Sequence, residues 1–111
     1  MDIAKQVETF KTLPNETQKE KVLAMLKTLQ WTNEIFSSFY KTLNLIHDVS
    51  SNVLIYIYQS ILEIAEALQQ GDKQKAQDKI KKIWEALMSI RRAEELDNER
   101  EGSADKILQN I

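Results

Sequence analysis

The sequence predicts an all-α fold: an antiparallel bundle of about four helices, one short and three longer, with a short amphipathic C-terminal tail. Three observations carry that expectation. Apolar residues recur at spacings of three and four over most of the chain, the period of a helix that buries one face. Only 2 Gly and 1 Pro occur in 111 residues, too few for the frequent turns of an all-β fold. Cys is absent and 42% of residues are hydrophobic, so stability must come from a packed core rather than from disulfides. The length suits one domain, expected over residues 1–101 with a tail over 102–111.

The first helix is expected over residues 2–13. Ile3, Val7 and Phe10 share one face, while Lys5, Glu8 and Lys11 point away. Pro14 then interrupts, because proline disfavours helical geometry in the residue before it and is tolerated in the first turn of a new helix. Thr12 is a candidate N-cap of that new helix, and Leu13 with Pro14 reads equally as a short elbow. Glu16 and Glu20 follow near its start, where the helix dipole favours negative charge.

The second helix is expected over residues 14–47. Its stripe reads Val22, Met25, Leu26, Leu29, Thr32, Phe36, Phe39, Tyr40, Leu43 and Ile46. The phase does not reset, which predicts one continuous helix roughly 50 Å long at ~1.5 Å per residue. Trp31, Thr32 and Asn33, followed by Ser37 and Ser38, are its weak point, since Thr, Asn and Ser compete for backbone hydrogen bonds, and a kink there is the alternative to a straight helix.

The third helix is expected over residues 52–70, after the capping types Ser50, Ser51 and Asn52. Val53, Ile57, Ile61, Ile64 and Leu68 lie on one face; Leu54, Tyr58, Leu62 and Ala65 on a second; Ile55 lies beyond both. A helix apolar nearly all round is central in its fold or covered by another chain. Gly71 then suits a left-handed helix end and Asp72 the cap of the next helix. That short turn predicts an antiparallel hairpin. Leu68, Gly71, Asp72 and Ala76 resemble the inter-helix turn of tetratricopeptide-type hairpins, over nine residues and with no second unit, so no family is assigned on it.

The fourth helix is expected from Lys73 to about Glu101, with Ala76, Ile80, Ile83, Trp84, Leu87 and Ile90 as its stripe. Past Ile90 the sequence is mostly charged. Gly102 and Ser103 read as a stop, followed by a short segment carrying Ile107, Leu108 and Ile111. Eight residues are too short for a stable lone helix, so this segment is expected to dock, pair with another copy, or move freely.

Few chemistries find their residues here. The N-terminus has no apolar core of signal-peptide length. The longest uncharged stretch, residues 49–62, falls short of the ~20 residues of a membrane span. A cytoplasmic protein with no membrane span is therefore expected. His47 is the only His and lacks the Glu-x-x-His spacing of a bundle di-metal site; it reads as a helix-end residue. Glu63 and Glu66 share a helix face and read as a solvated edge. There is no thiol and no Gly-flanked serine elbow. The expectation is a non-enzyme without catalytic, cofactor-binding or metal residues.

Charge is uneven. Residues 72–92 hold seven Lys and Arg against three carboxylates, and residues 93–111 hold six carboxylates against two basic residues. Lys75, Lys79 and Lys82 form a basic stripe, which phosphate attraction would use in a nucleic-acid-associated accessory protein. Head-to-tail pairing between copies would use the same asymmetry. No DNA- or RNA-binding motif accompanies it.

The leading expectation is a protein–protein interaction or assembly module: an adaptor, a small structural subunit or a chaperone-like helical protein, with a homo-oligomer as one outcome. Trp31 and Tyr56 lie off the main stripes and are candidate anchors, because such aromatics dominate interface hot spots. Val53, Leu54, Ile55 and Tyr58 are expected to offer excess apolar surface. Ile107, Leu108 and Ile111 are the expected docking segment.

Overall fold

A computed structural model describes the backbone of residues 2–109 and the side chains of residues 2–92. Among the described residues the elements are helices: α1 (Ile3–Lys11), α2 (Asn15–Leu29), α3 (Ile35–Leu45), α4 (Ser51–Gln69) and α5 (Lys73–Gln109).

Helix α1 starts where the Asp2 carboxylate accepts from the Lys5 backbone N–H at 3.1 Å, satisfying one of the donors that a helix N-terminus leaves free. It buries Val7 and Phe10, and the Phe10 ring stacks on Tyr58 of α4 at 4.0 Å between centroids. Pro14 does separate two helices. Thr12, expected as the N-cap of α2, is instead the C-cap of α1, its hydroxyl donating to the Thr9 carbonyl at 2.6 Å. Pro14 itself occupies the N-cap position of α2 and offers no side-chain bond.

The expected long second helix is two helices. The chain turns over residues 30–34, with the Thr32 N–H donating to the Leu29 carbonyl at 2.9 Å. The Asn33 side-chain oxygen accepts from the Ile35 N–H at 3.1 Å and starts α3. The break wins on burial. A straight helix would have carried Phe36, Phe39 and Leu43 away from the body. Folded back, α3 packs on α2 and α5 and all three are buried. Phe39 meets Trp84 of α5 at 6.3 Å between ring centroids.

The connection from α3 to α4 is tied to α2. Lys19 Nζ donates to the Ile46 carbonyl at 2.7 Å, and Asn15 Nδ2 to the Val49 carbonyl at 2.9 Å. Ile46 and Val49 are buried beneath these bonds. Ser50 caps α4, accepting from the Val53 N–H at 3.4 Å.

Helix α4 is the centre of the fold, contacted by α1, α2 and α5. Leu54, Ile57, Ile61 and Ile64 are buried within it, each worth about 1.5–3 kcal/mol relative to exposure. Its last turn closes with Gly71 at φ +77°. The Gly71 N–H donates to the Leu68 carbonyl at 3.2 Å and the Asp72 N–H to the Ala67 carbonyl at 2.8 Å. This pair of bonds is the Schellman pattern, and it needs a left-handed residue between. Asp72 then caps α5, accepting from the Lys75 N–H at 3.1 Å. The α4–α5 hairpin therefore forms as the sequence predicts.

Helix α5 has 37 residues, about 55 Å at ~1.5 Å per residue, against about 28 Å for the 19 residues of α4. Ile90 is the last described side chain packed on the core. Beyond it α5 outruns its antiparallel partner, in keeping with the 62 Å length of the molecule. The expected stop at Gly102 and Ser103 is not taken, and α5 runs through both. An interior glycine costs a helix only about 1 kcal/mol relative to alanine, which weakens it without ending it.

Candidate interaction surface

The structure redistributes the expected interface residues. Leu54 and Tyr58 belong to the chain's own core. Val53 and Ile55 are half-buried and packed against that core. The apolar excess of this helix is absorbed by α1, α2 and α5, which pack around it. Residues 53–58 therefore offer no continuous apolar surface, and Tyr56, 43% exposed, is the outward residue there. Trp31 stands in the α2–α3 turn at 87% exposed. Helix α5 includes Ile107 and Leu108, whose side chains lie outside the described ones, and Ile111 lies outside the described residues altogether.

Sequence reasoning missed a groove between α2 and α4. Its volume is about 370 Å³, and its lining is Ala24, Met25, Thr28 and Leu29 from α2 with Ile61, Leu62 and Ala65 from α4. The one charged lining residue is Lys21, whose ammonium sits 5.6 Å from the centre of the Tyr58 ring. With Lys21 beside Tyr58 and Leu29 beside the Ile61–Ala65 stretch, α2 and α4 run side by side in the same direction. Their C-terminal ends therefore share one end of the body. Trp31 stands two residues beyond α2, and Leu68, in the last turn of α4, is 44% exposed. The signal available in the sequence was Met25 and Leu29 on one helix and Leu62 and Ala65 on another, residues that a core stripe does not distinguish from a groove wall.

A second groove, of about 620 Å³, lies among α1, α4 and α5 and carries mixed charge: Glu8 and Lys11, Glu63 and Glu66, Lys75 and Lys79. Lys79 is ion-paired with Glu63, and Gln59 Nε2 donates to the other Glu63 oxygen at 3.0 Å. Burial by itself pushes the Glu63 carboxyl up. The bonds from Lys79 and Gln59, with the charges of Lys79 and Lys75, outweigh burial and hold it below the usual carboxylate range. Two of the three stripe lysines, Lys75 and Lys79, thus line a groove with carboxylates, while Lys82 is exposed. Glu63, expected as a solvated edge, is a half-buried partner that stitches α4 to α5. His47 is exposed two residues past the end of α3.

One buried polar group was not foreseen. Gln18 is 1% exposed. Its Nε2 donates to the Phe10 carbonyl at 3.1 Å, fixing the α1–α2 elbow, and its Oε1 has no partner among the described residues.

No helix among the described residues is long and apolar enough to cross a membrane. Comparison of the chain with protein-family models, with curated proteins and with solved structures returns no match.

Proposed function

We propose that this chain is a non-enzymatic assembly module acting through apolar helix surface. The observation that carries this reading is the α2–α4 groove, apolar along its length, with the exposed Trp31 in the turn that follows α2. An exposed apolar surface of this kind costs solubility and is characteristic of interaction sites. Tryptophan is the residue type that most often anchors them. The nucleic-acid alternative retains Lys75 and Lys82, but Lys79 in the middle of that stripe is committed to Glu63, which favours the assembly reading.

The test is mass in solution by light scattering over the accessible concentration range. Assembly predicts a mass that rises above the 12.9 kDa of one chain and falls back on dilution, with Trp31→Ala shifting the transition to higher concentration. A mass of one chain throughout removes the self-assembling form of this reading.

A further inference from the structure

The helix contacts close a ring that leaves one helix out. Helix α2 packs on α3, α3 on α5, α5 on α4, and α4 on α2 again. Helix α1 stands outside this ring and packs on α4, so its departure breaks no contact between two other helices. We propose that α1 is a hinged strap: it lifts off α4 as one unit, turning about residues 12–14, while the ring of α2, α3, α4 and α5 stays folded.

The closed position rests on little. Helix α1 has nine residues and buries Val7 and Phe10, the latter stacked on Tyr58 of α4. Its own side-chain bonds run within the segment: Asp2 accepts from the Lys5 N–H, Thr9 donates to the Lys5 carbonyl, and Lys11 to Glu8. These bonds do not hold it to the body. Across the elbow, Gln18 Nε2 donates to the Phe10 carbonyl at 3.1 Å. That carbonyl keeps a bond from the Leu13 N–H at 3.1 Å when the elbow opens. The other Gln18 atom, Oε1, is buried without a partner among the described residues. Closing the strap leaves this acceptor unmade, which counts against the closed form; opening gives it water.

The hinge is built for the motion. Pro14 holds φ −58° and ψ 151°, and the residue before a proline is steered out of helical geometry. The lifted segment therefore does not fuse with α2 into one helix. A helix of this length is marginal by itself in water, so α1 unwinds once it leaves α4. One face of the Tyr58 ring is then uncovered, and the strap controls access to that apolar seat.

The experiment is native-state hydrogen exchange of the full chain, read by NMR. The amides of Val7, Glu8, Thr9 and Phe10 are expected to exchange as a group. Their protection should be at least about tenfold lower than that of the buried Ile57 and Ile61 in α4. Their exchange should also respond less to low urea, because lifting the strap exposes less surface than unfolding the chain. Phe10→Asp places a charge in the closed contact and is expected to abolish protection in α1 while the ring keeps one cooperative urea transition. Amides of α1 that exchange in step with Ile57 and Ile61 at every urea concentration overturn the inference. A Phe10→Asp chain that loses its cooperative transition overturns it as well, since the ring then depends on α1.

Discussion

Replacing Gly71 with alanine isolates the cost of one backbone conformation at the turn on which the α4–α5 hairpin depends. Gly71 sits at φ +77°, and a Cβ built there meets nothing within 4 Å. No steric clash contributes, so the penalty is the left-handed conformation itself, about 1–2 kcal/mol for an ordinary L-residue. Alanine also restricts the unfolded chain, which offsets about 0.4–1 kcal/mol. The net expectation for Gly71→Ala is a loss of about 1 kcal/mol, read as a lower urea midpoint and a melting temperature lower by about 4–8 °C. Gly71→Asn is expected to lose less, because asparagine tolerates the left-handed region. An alanine variant with wild-type stability, or an asparagine variant as unstable as alanine, would refute this reasoning.

Three further outcomes are expected. Gln18→Leu removes a buried acceptor without a partner, and the Phe10 carbonyl keeps its bond from the Leu13 N–H. Since an unmade buried hydrogen bond costs about 1–3 kcal/mol, equilibrium unfolding should show a variant as stable as wild type or up to about 1 kcal/mol more so; a clear loss would contradict it. The lowered Glu63 pKa means that its pairing adds stability above the pKa of the unfolded chain, lost as pH falls through the folded value. Urea midpoints measured from neutral to acid pH should therefore fall less steeply for Glu63→Gln than for wild type, and parallel curves would argue against the pairing. Trp31→Ala, at an 87% exposed site, should change unfolding free energy by no more than about 0.5 kcal/mol while weakening assembly; a large stability loss would place Trp31 in the fold rather than at an interface.

Much of the fold could be read from single residues. Pro14 and Gly71 mark helix boundaries, and Ser50 and Asp72 cap helices as their side-chain chemistry predicts. The α2–α3 break was hidden because Leu29 and Phe36 are seven residues apart, two helical turns. A turn spanning that interval leaves the stripe in phase. Asn33, flagged only as a weak helix former, starts the new helix through its side chain. Leu54 and Tyr58 are buried because α1, α2 and α5 all pack on α4, with Phe10 of α1 stacked on Tyr58; the period of the α4 stripe does not say which of its faces those helices take. The Glu63–Lys79 pair could have been found: the two stand eight residues on either side of Gly71, where an antiparallel hairpin places residues opposite one another. The groove had no such signal, because its walls come from helices whose relative placement depends on the break. Gln18 had none either, as its burial follows from the elbow at Pro14.

The assembly reading is tested most directly by sedimentation equilibrium of the wild-type chain beside Thr28→Asp, which places a carboxylate at an exposed position of the α2–α4 groove. The account predicts a mass above the 12.9 kDa of one chain for wild type and a mass closer to that of one chain for the variant at the same concentration. A wild-type mass of one chain at every concentration, or an association that the variant leaves unchanged, would contradict it.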